Sequence, residues 1–229
     1  MTPISARVPT ATALSVALVL CCGILTGCGQ WGGAGSGVST SAPQADTAND
    51  LHALDESMLI GEGSVPPLGG TSWGTMVAVP RGHEPEVSPA GCELFLSQGA
   101  AVQKGLAMRS SKNASIGVTL TLPVGRADLP TLAERCRTFT YTAPGAKSQV
   151  VLGPFAAEGL PTGTISTIMH CRTVRIDQTL EWDIAAILGF HRGVLVTAQY
   201  TAGPQGGAFD PEFASRLGEV YLAQTAKLG

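Results

Sequence analysis

Residues 114–122 read Ala-Ser-Ile-Gly-Val-Thr-Leu-Thr-Leu, and their alternation decides the fold class. Ile116, Val118, Leu120 and Leu122 point one way and Ser115, Thr119 and Thr121 the other, the period of a half-buried strand. Lys112-Asn113 supplies turn residues just before it, so 105–110 is expected to form a hairpin with it. Downstream, residues 128–136 (DLPTLAERC) carry a proline in their first turn. Leu129, Leu132 and Cys136 recur there at i, i+3 and i+7, which predicts a short helix with its cysteine turned inward.

The pattern extends in both directions. Strands are expected at about 137–142, 148–153, 163–176 and 192–201. Within 163–176, Ile168, Val174 and Ile176 share one phase and Met169 and Cys171 the other, which a bulge or burial on both faces would explain. Asp210-Pro211 opens a final helix with Phe213, Leu217, Val220 and Tyr221 on its inner face and Leu228 at its end. Upstream, 51–59 (LHALDESML), after Asn49 or Asp50 as cap, reads as a short helix. Thr75 to Val79 is a β-prone run stopped by Pro80, and Ser88-Pro89 fits the start of a short helix carrying Cys92. Short strands close in sequence, with helices at intervals, predict an α+β domain over 50–229, built on an antiparallel sheet with a few packed helices. That length suffices for one sizeable core.

The first 27 residues have a different character. They hold one charge, Arg7, and an apolar run from Ala11 to Leu25 ending in small residues, the parts of a secretory signal. The run is too short to span a bilayer stably. Residues 29–49 (GQWGGAGSGVSTSAPQADTAN) are almost all Gly, Ser, Thr, Ala and Pro; such a segment buries too little surface to offset its ordering entropy and reads as a flexible tether. Between them, Leu25-Thr26-Gly27-Cys28 resembles the lipobox of bacterial lipoproteins. That resemblance implies cleavage before Cys28, two or three acyl chains on the new N-terminal residue, and residence at the outer face of the cytoplasmic membrane. At about 0.8 kcal/mol per buried methylene, two chains hold a protein where one does so only marginally.

Removing 27 of 229 residues leaves 202, and because Arg7 is the one charge lost, 13 Lys+Arg then face 17 Asp+Glu, a net charge of −4. With no basic run or stripe, nucleic acid is excluded as an expected partner. Cys21 and Cys22 fall in the removed segment; Cys92, Cys136 and Cys171 remain. In an oxidising compartment a bridge is expected, and three cysteines allow three pairings, each with one thiol left over.

Catalytic signals are weak. Gly70-Thr71-Ser72-Trp73-Gly74 matches G-x-S-x-G, but a hydrolase needs that serine between a buried strand and a helix. Here Pro66-Pro67-Leu68-Gly69 precedes it and a β-prone run follows. His52, His83, His170 and His191 are scattered, and the adjacent His170 and Cys171 point to opposite faces of a strand, so they cannot share a metal. With no H-E-x-x-H, C-x-x-C or clustered carboxylate loop, no metal and no cofactor are expected. A Cys171 nucleophile would need a base and an electropositive site that the sequence does not assign. Glu181 and Asp183, flanking Trp182, read as a solvated face. Asn113-Ala114-Ser115 fits a glycosylation sequon that a bacterial lipoprotein does not normally use; Ser36, Ser39, Thr40 and Ser41 of the tether are the better glycan acceptors.

Several segments together resemble a group of mycobacterial and related actinobacterial lipoproteins of unknown function, similar to the extracellular sensor domains of PknH-type receptor kinases. They are the lipobox, the tether, Pro89-x-x-Cys92, residues 132–139 (LAERCRTF), residues 189–196 (GFHRGVLV) and Phe209-Asp210-Pro211-x-Phe213. The resemblance implies an α+β fold with a ligand-binding cleft, no catalytic residues, and a disulfide between Cys92 and Cys136. Cys171 would then be a free thiol, buried as unpaired cysteines usually are. The second disulfide of such sensor domains has no counterpart here. The expected function is a membrane-anchored envelope lipoprotein, a non-catalytic module for a small apolar or glycan ligand or an envelope protein. The competing expectation is an envelope hydrolase using Ser72 or Cys171.

Overall fold

A computed structural model describes residues 49–67, 73–74, 77–78, 85–96, 102–109, 114–122, 126–202 and 209–229, all within one unit, Ser41–Gly229. The expected export signal, Cys28, the tether up to residue 48 and Ser72 lie outside the described residues.

Among the described residues nine strands form one antiparallel sheet: β1 (Val77–Ala78), β2 (Glu86–Ser88), β3 (Val102–Arg109), β4 (Ser115–Leu122), β5 (Thr138–Ala143), β6 (Ala146–Pro154), β7 (Ile165–Arg175), β8 (Gln178–His191) and β9 (Val194–Thr201). Their spatial order is β1-β3-β4-β9-β8-β7-β6-β5-β2. The hairpin of β3 and β4 forms as the sequence predicts, pairing Val102 with Leu122 and Arg109 with Ser115. The chain then passes through helix α1 (Leu129–Arg135) to β5 and returns by consecutive hairpins until β9 lands beside β4. Short turns make this return possible: Pro144-Gly145 joins β5 to β6 with Gly145 at φ 74°, and Arg192-Gly193 joins β8 to β9 with both residues at positive φ. Helices α2 (Pro211–Ser215) and α3 (Leu217–Leu228) close the fold.

Both faces of β4, β9 and the second half of β8 are covered, which explains their apolar composition. On one face Ile116, Val118, Val196, Ala198 and Ile187 pack under Leu217, Val220 and Tyr221 of α3. On the other, Val150, Met169, Cys171, Ala186 and Leu188 pack under Leu129 and Leu132 of α1 and Phe95 of a 3-10 helix, Cys92–Leu96. The sulfurs of Cys92 and Cys136 are bonded, the pairing the resemblance implies, and tie that 3-10 helix to the C-cap of α1. Each fully buried large side chain contributes roughly 1.5–3 kcal/mol.

Several local expectations are corrected. Residues 51–59 form no α-helix: only Glu56–Met58 turn, as a 3-10 helix capped by the Asp55 carboxylate on the Ser57 amide. Ser88 ends β2, its bond to Pro89 is cis, and the helix bearing Cys92 is 3-10 in type. Strand β4 is not half-buried, because Thr119 and Thr121 are covered as well as the aliphatic row. The final helix breaks at Arg216 into α2 and α3. Strand β7 has no bulge: it pairs without interruption from Ile165 to Arg175, with Met169 and Cys171 in the core phase and Val174 exposed. The sequence reading also gives no element to 178–191, which is the longest strand, β8.

Candidate binding groove

A concavity of about 800 Å³ lies where α1 crosses the ends of β6 and β7. Helix α1 provides one wall because its apolar stripe, Leu129 and Leu132, is pinned to the sheet, which leaves Pro130, Ala133 and Glu134 facing the opening. Leu152 and Ile165 form the sheet side. The polar groups here already have partners. Ser166 Oγ donates to the Phe155 carbonyl at 2.6 Å and Thr167 Oγ1 to the Gly153 carbonyl at 2.9 Å, while Arg137 Nη2 meets Glu134 Oε2 at 2.7 Å. The hydroxyl oxygens keep lone pairs for a ligand's donors. The Arg137–Glu134 pair is about 70% exposed on both sides, so it contributes little to stability and yields readily to a better partner. The groove therefore offers a half-apolar surface with one cation at its rim.

A second, smaller concavity of about 320 Å³ lies on the other face of the sheet, over β6–β8. His170 Nδ1 sits 2.7 Å from Asp183 Oδ1, and Arg172 pairs with Glu181 at 3.3 Å. These are directly opposed residues in the β7–β8 register, so Glu181 and Asp183 face Arg172 and His170 rather than each other. A His–Asp pair is half of a nucleophile-activating triad. Cys171, though adjacent in sequence, projects through the opposite face, is buried, and has Sγ 3.7 Å from the Met169 carbonyl. Burial first, and then the nearby Asp183 carboxylate, push its thiol up to about 12. Among the described residues no base lies beside Cys171, and burial favours its unreactive thiol form.

Among the described residues no group of three or more His, Cys, Asp or Glu side chains converges as metal ligands would, and no helix is long and apolar enough to cross a membrane. Asn113 is outside the described residues, and Ala114 beside it is buried. The sequence reading assigned a binding role to none of the groove residues; Ala133, Glu134 and Arg137 enter it within the 132–139 segment that carries the resemblance, and the amphipathic pattern of α1 marks Ala133 and Glu134 as outward by exclusion.

No protein-family model matches the chain, and no curated protein matches it. Among solved structures it is similar to the X-ray structure of a putative uncharacterized protein (Rv0999 ortholog) from Mycobacterium smegmatis. The match has 13% sequence identity and a TM-score of 0.39, and covers 68% of this chain and 87% of that one.

Proposed function

We propose that the protein is a non-catalytic binding module of the cell envelope, anchored by lipid on Cys28 and receiving a small ligand in the groove beside α1. The groove carries the proposal: about 800 Å³ is within the usual range for a small-molecule site, and its lining mixes apolar side chains with engaged hydroxyls. The buried Cys92–Cys136 disulfide supports an oxidising compartment, in keeping with the lipobox and the signal ahead of it. The resemblance to actinobacterial lipoproteins and PknH-type sensor domains points the same way. A hydrolase built on Cys171 is disfavoured by the orientation and pKa of that thiol.

Native mass spectrometry of the protein recovered from membranes tests the reading. A bound small molecule, or thermal stabilisation by envelope lipids or glycans, is expected for the native chain and lost on Ala133→Trp, which fills the groove. Retention of ligand by Ala133→Trp, with the fold intact by circular dichroism, would contradict the site.

A further inference from the structure

We propose that the groove takes a free α-amino acid with an apolar side chain, its ammonium on Glu134 and its carboxylate on Arg137; this rests on the reading of the groove as a ligand site. Glu134 and Arg137 are the two charged side chains of the described lining, and they lie side by side, Arg137 Nη2 at 2.7 Å from Glu134 Oε2. That bond uses one carboxylate oxygen and one guanidinium nitrogen. Among the described residues, Glu134 Oε1 and the remaining guanidinium N–H groups have no protein partner. An anion on Arg137 alone would be repelled by the carboxylate beside it, and a cation on Glu134 alone by the guanidinium. A ligand with both charges on adjacent groups avoids both repulsions: laid antiparallel to the pair, each of its charges faces the opposite sign. An α-amino acid has that layout because one carbon bears both groups, and its carboxylate suits the guanidinium fork. In a peptide each added residue moves the two termini up to about 3.6 Å farther apart, too far for side chains in contact.

The hydroxyls of the lining agree with an ammonium. Thr131 Oγ1 donates its one proton to Asp128 Oδ2 at 2.5 Å, and Thr167 Oγ1 donates to the Gly153 carbonyl at 2.9 Å, so both meet a ligand as acceptors. The backbone that carries the pair is fixed. Glu134 lies in the last turn of α1 and Arg137 follows its C-cap, Cys136, which is bonded to Cys92. The Arg137 carbonyl accepts from the Leu152 amide at 2.8 Å, joining this corner to the sheet side of the groove. The two charges are thus placed by a rigid corner while their side chains stay open to solvent. Half-buried Ala133, Leu152 and Ile165 supply an apolar wall beside them, and about 800 Å³ admits the largest apolar side chains.

The test is equilibrium dialysis of the full chain in detergent with labelled leucine. Saturable binding is expected, weakened about tenfold or more by Glu134→Gln and by Arg137→Gln. Both positions are about 70% exposed, so the melting temperature of either variant should stay at the native value. Unlabelled leucine and phenylalanine should displace the label. N-acetylleucine lacks the ammonium, leucinamide the carboxylate and glycine the apolar side chain, so each should need a concentration about tenfold higher or more. No saturable binding, displacement by the blocked derivatives as good as by leucine, or binding indifferent to both substitutions overturns the proposal. If leucine fails while native mass spectrometry finds a ligand lost on Ala133→Trp, the amino-acid assignment falls and the groove reading stands. If neither method finds a ligand, both fall.

Discussion

At the scale of single residues, the most consequential side chain is one whose polarity hides it. Gln224 is fully buried on α3, where its Nε2 donates to the Met58 carbonyl at 2.8 Å and its Oε1 accepts from the Ile60 amide at 3.1 Å. It clips the 51–60 segment to the last helix. Gln224→Leu keeps the volume but strands two buried backbone groups, so a loss of about 1–3 kcal/mol is expected in denaturant titrations. Helical periodicity identified Phe213, Leu217, Val220 and Tyr221 but passed over Gln224, because a sequence pattern counts an amide as solvent-facing until its partners are visible. The converse case is Thr197, whose buried Oγ1 has no hydrogen-bond partner among the described residues; Thr197→Val is expected to hold or raise the melting temperature, and a clear drop would mean that the hydroxyl has a partner elsewhere. Cys171 makes the pH prediction. Its native thiol titrates near 12 against an ordinary 9.0, so below pH 9 it is protonated in both states and leaves stability unchanged. As the pH rises above 9, only the unfolded chain releases the proton, and stability falls by about 1 kcal/mol between pH 9 and 10. Cys171→Ala should flatten that interval; above it Tyr200 and Tyr221, both raised mainly by burial, add their own decline.

At the scale of elements, what could be read depended on how each element is buried. Strands β4 to β7 and β9 were legible through their runs of β-branched, aromatic and other apolar residues, with a clean alternation in β4, and α1 through its three-to-four spacing. Strand β8 was not: Ile184-Ala185-Ala186-Ile187-Leu188-Gly189 is covered on both sides, so it has no alternation, and its alanines and glycine favour no strand. Gly189 is there because Tyr221 needs the space. A Cβ at that position would lie 2.1 Å from the tyrosine Oη and 2.7 Å from Thr164 Oγ1. Gly189→Ala should therefore displace α3 from β8 and cost about 1–3 kcal/mol, measurable as a lowered melting temperature with altered near-ultraviolet circular dichroism. The disulfide acts at this scale too. It closes the loop between two short helices, with a sequence separation of 44, and should contribute roughly 2–4 kcal/mol that is lost on reduction. The pairing followed from family resemblance, since three cysteines alone leave three choices.

At the scale of the whole molecule, the expected address rests on contiguous residues, 1–28, that lie outside the described residues. The groove was not legible in the sequence, because it joins α1 to β6 and β7 only after the β5–β6 and β6–β7 hairpins have set their positions. The same folding brings the two ends of the domain together at Arg192. That residue keeps a left-handed φ of 49°, which a non-glycine side chain adopts at a cost of about 1–2 kcal/mol. Its side chain offsets that strain by holding the Asn49 carbonyl and, at 2.6 Å, the Leu228 carbonyl. Arg192→Asn suits the turn better but releases both segments, so faster proteolysis near residues 49–51 is expected, together with a lower melting temperature.

The central claim, a lipid-anchored module whose groove holds a ligand, is tested most directly by native mass spectrometry of the full chain extracted from membranes. A mature protein beginning at Cys28 with two or three acyl chains, one internal disulfide, and a noncovalent ligand that Ala133→Trp abolishes is the expected result. An N-terminus without lipid, or a ligand indifferent to that substitution, would contradict it.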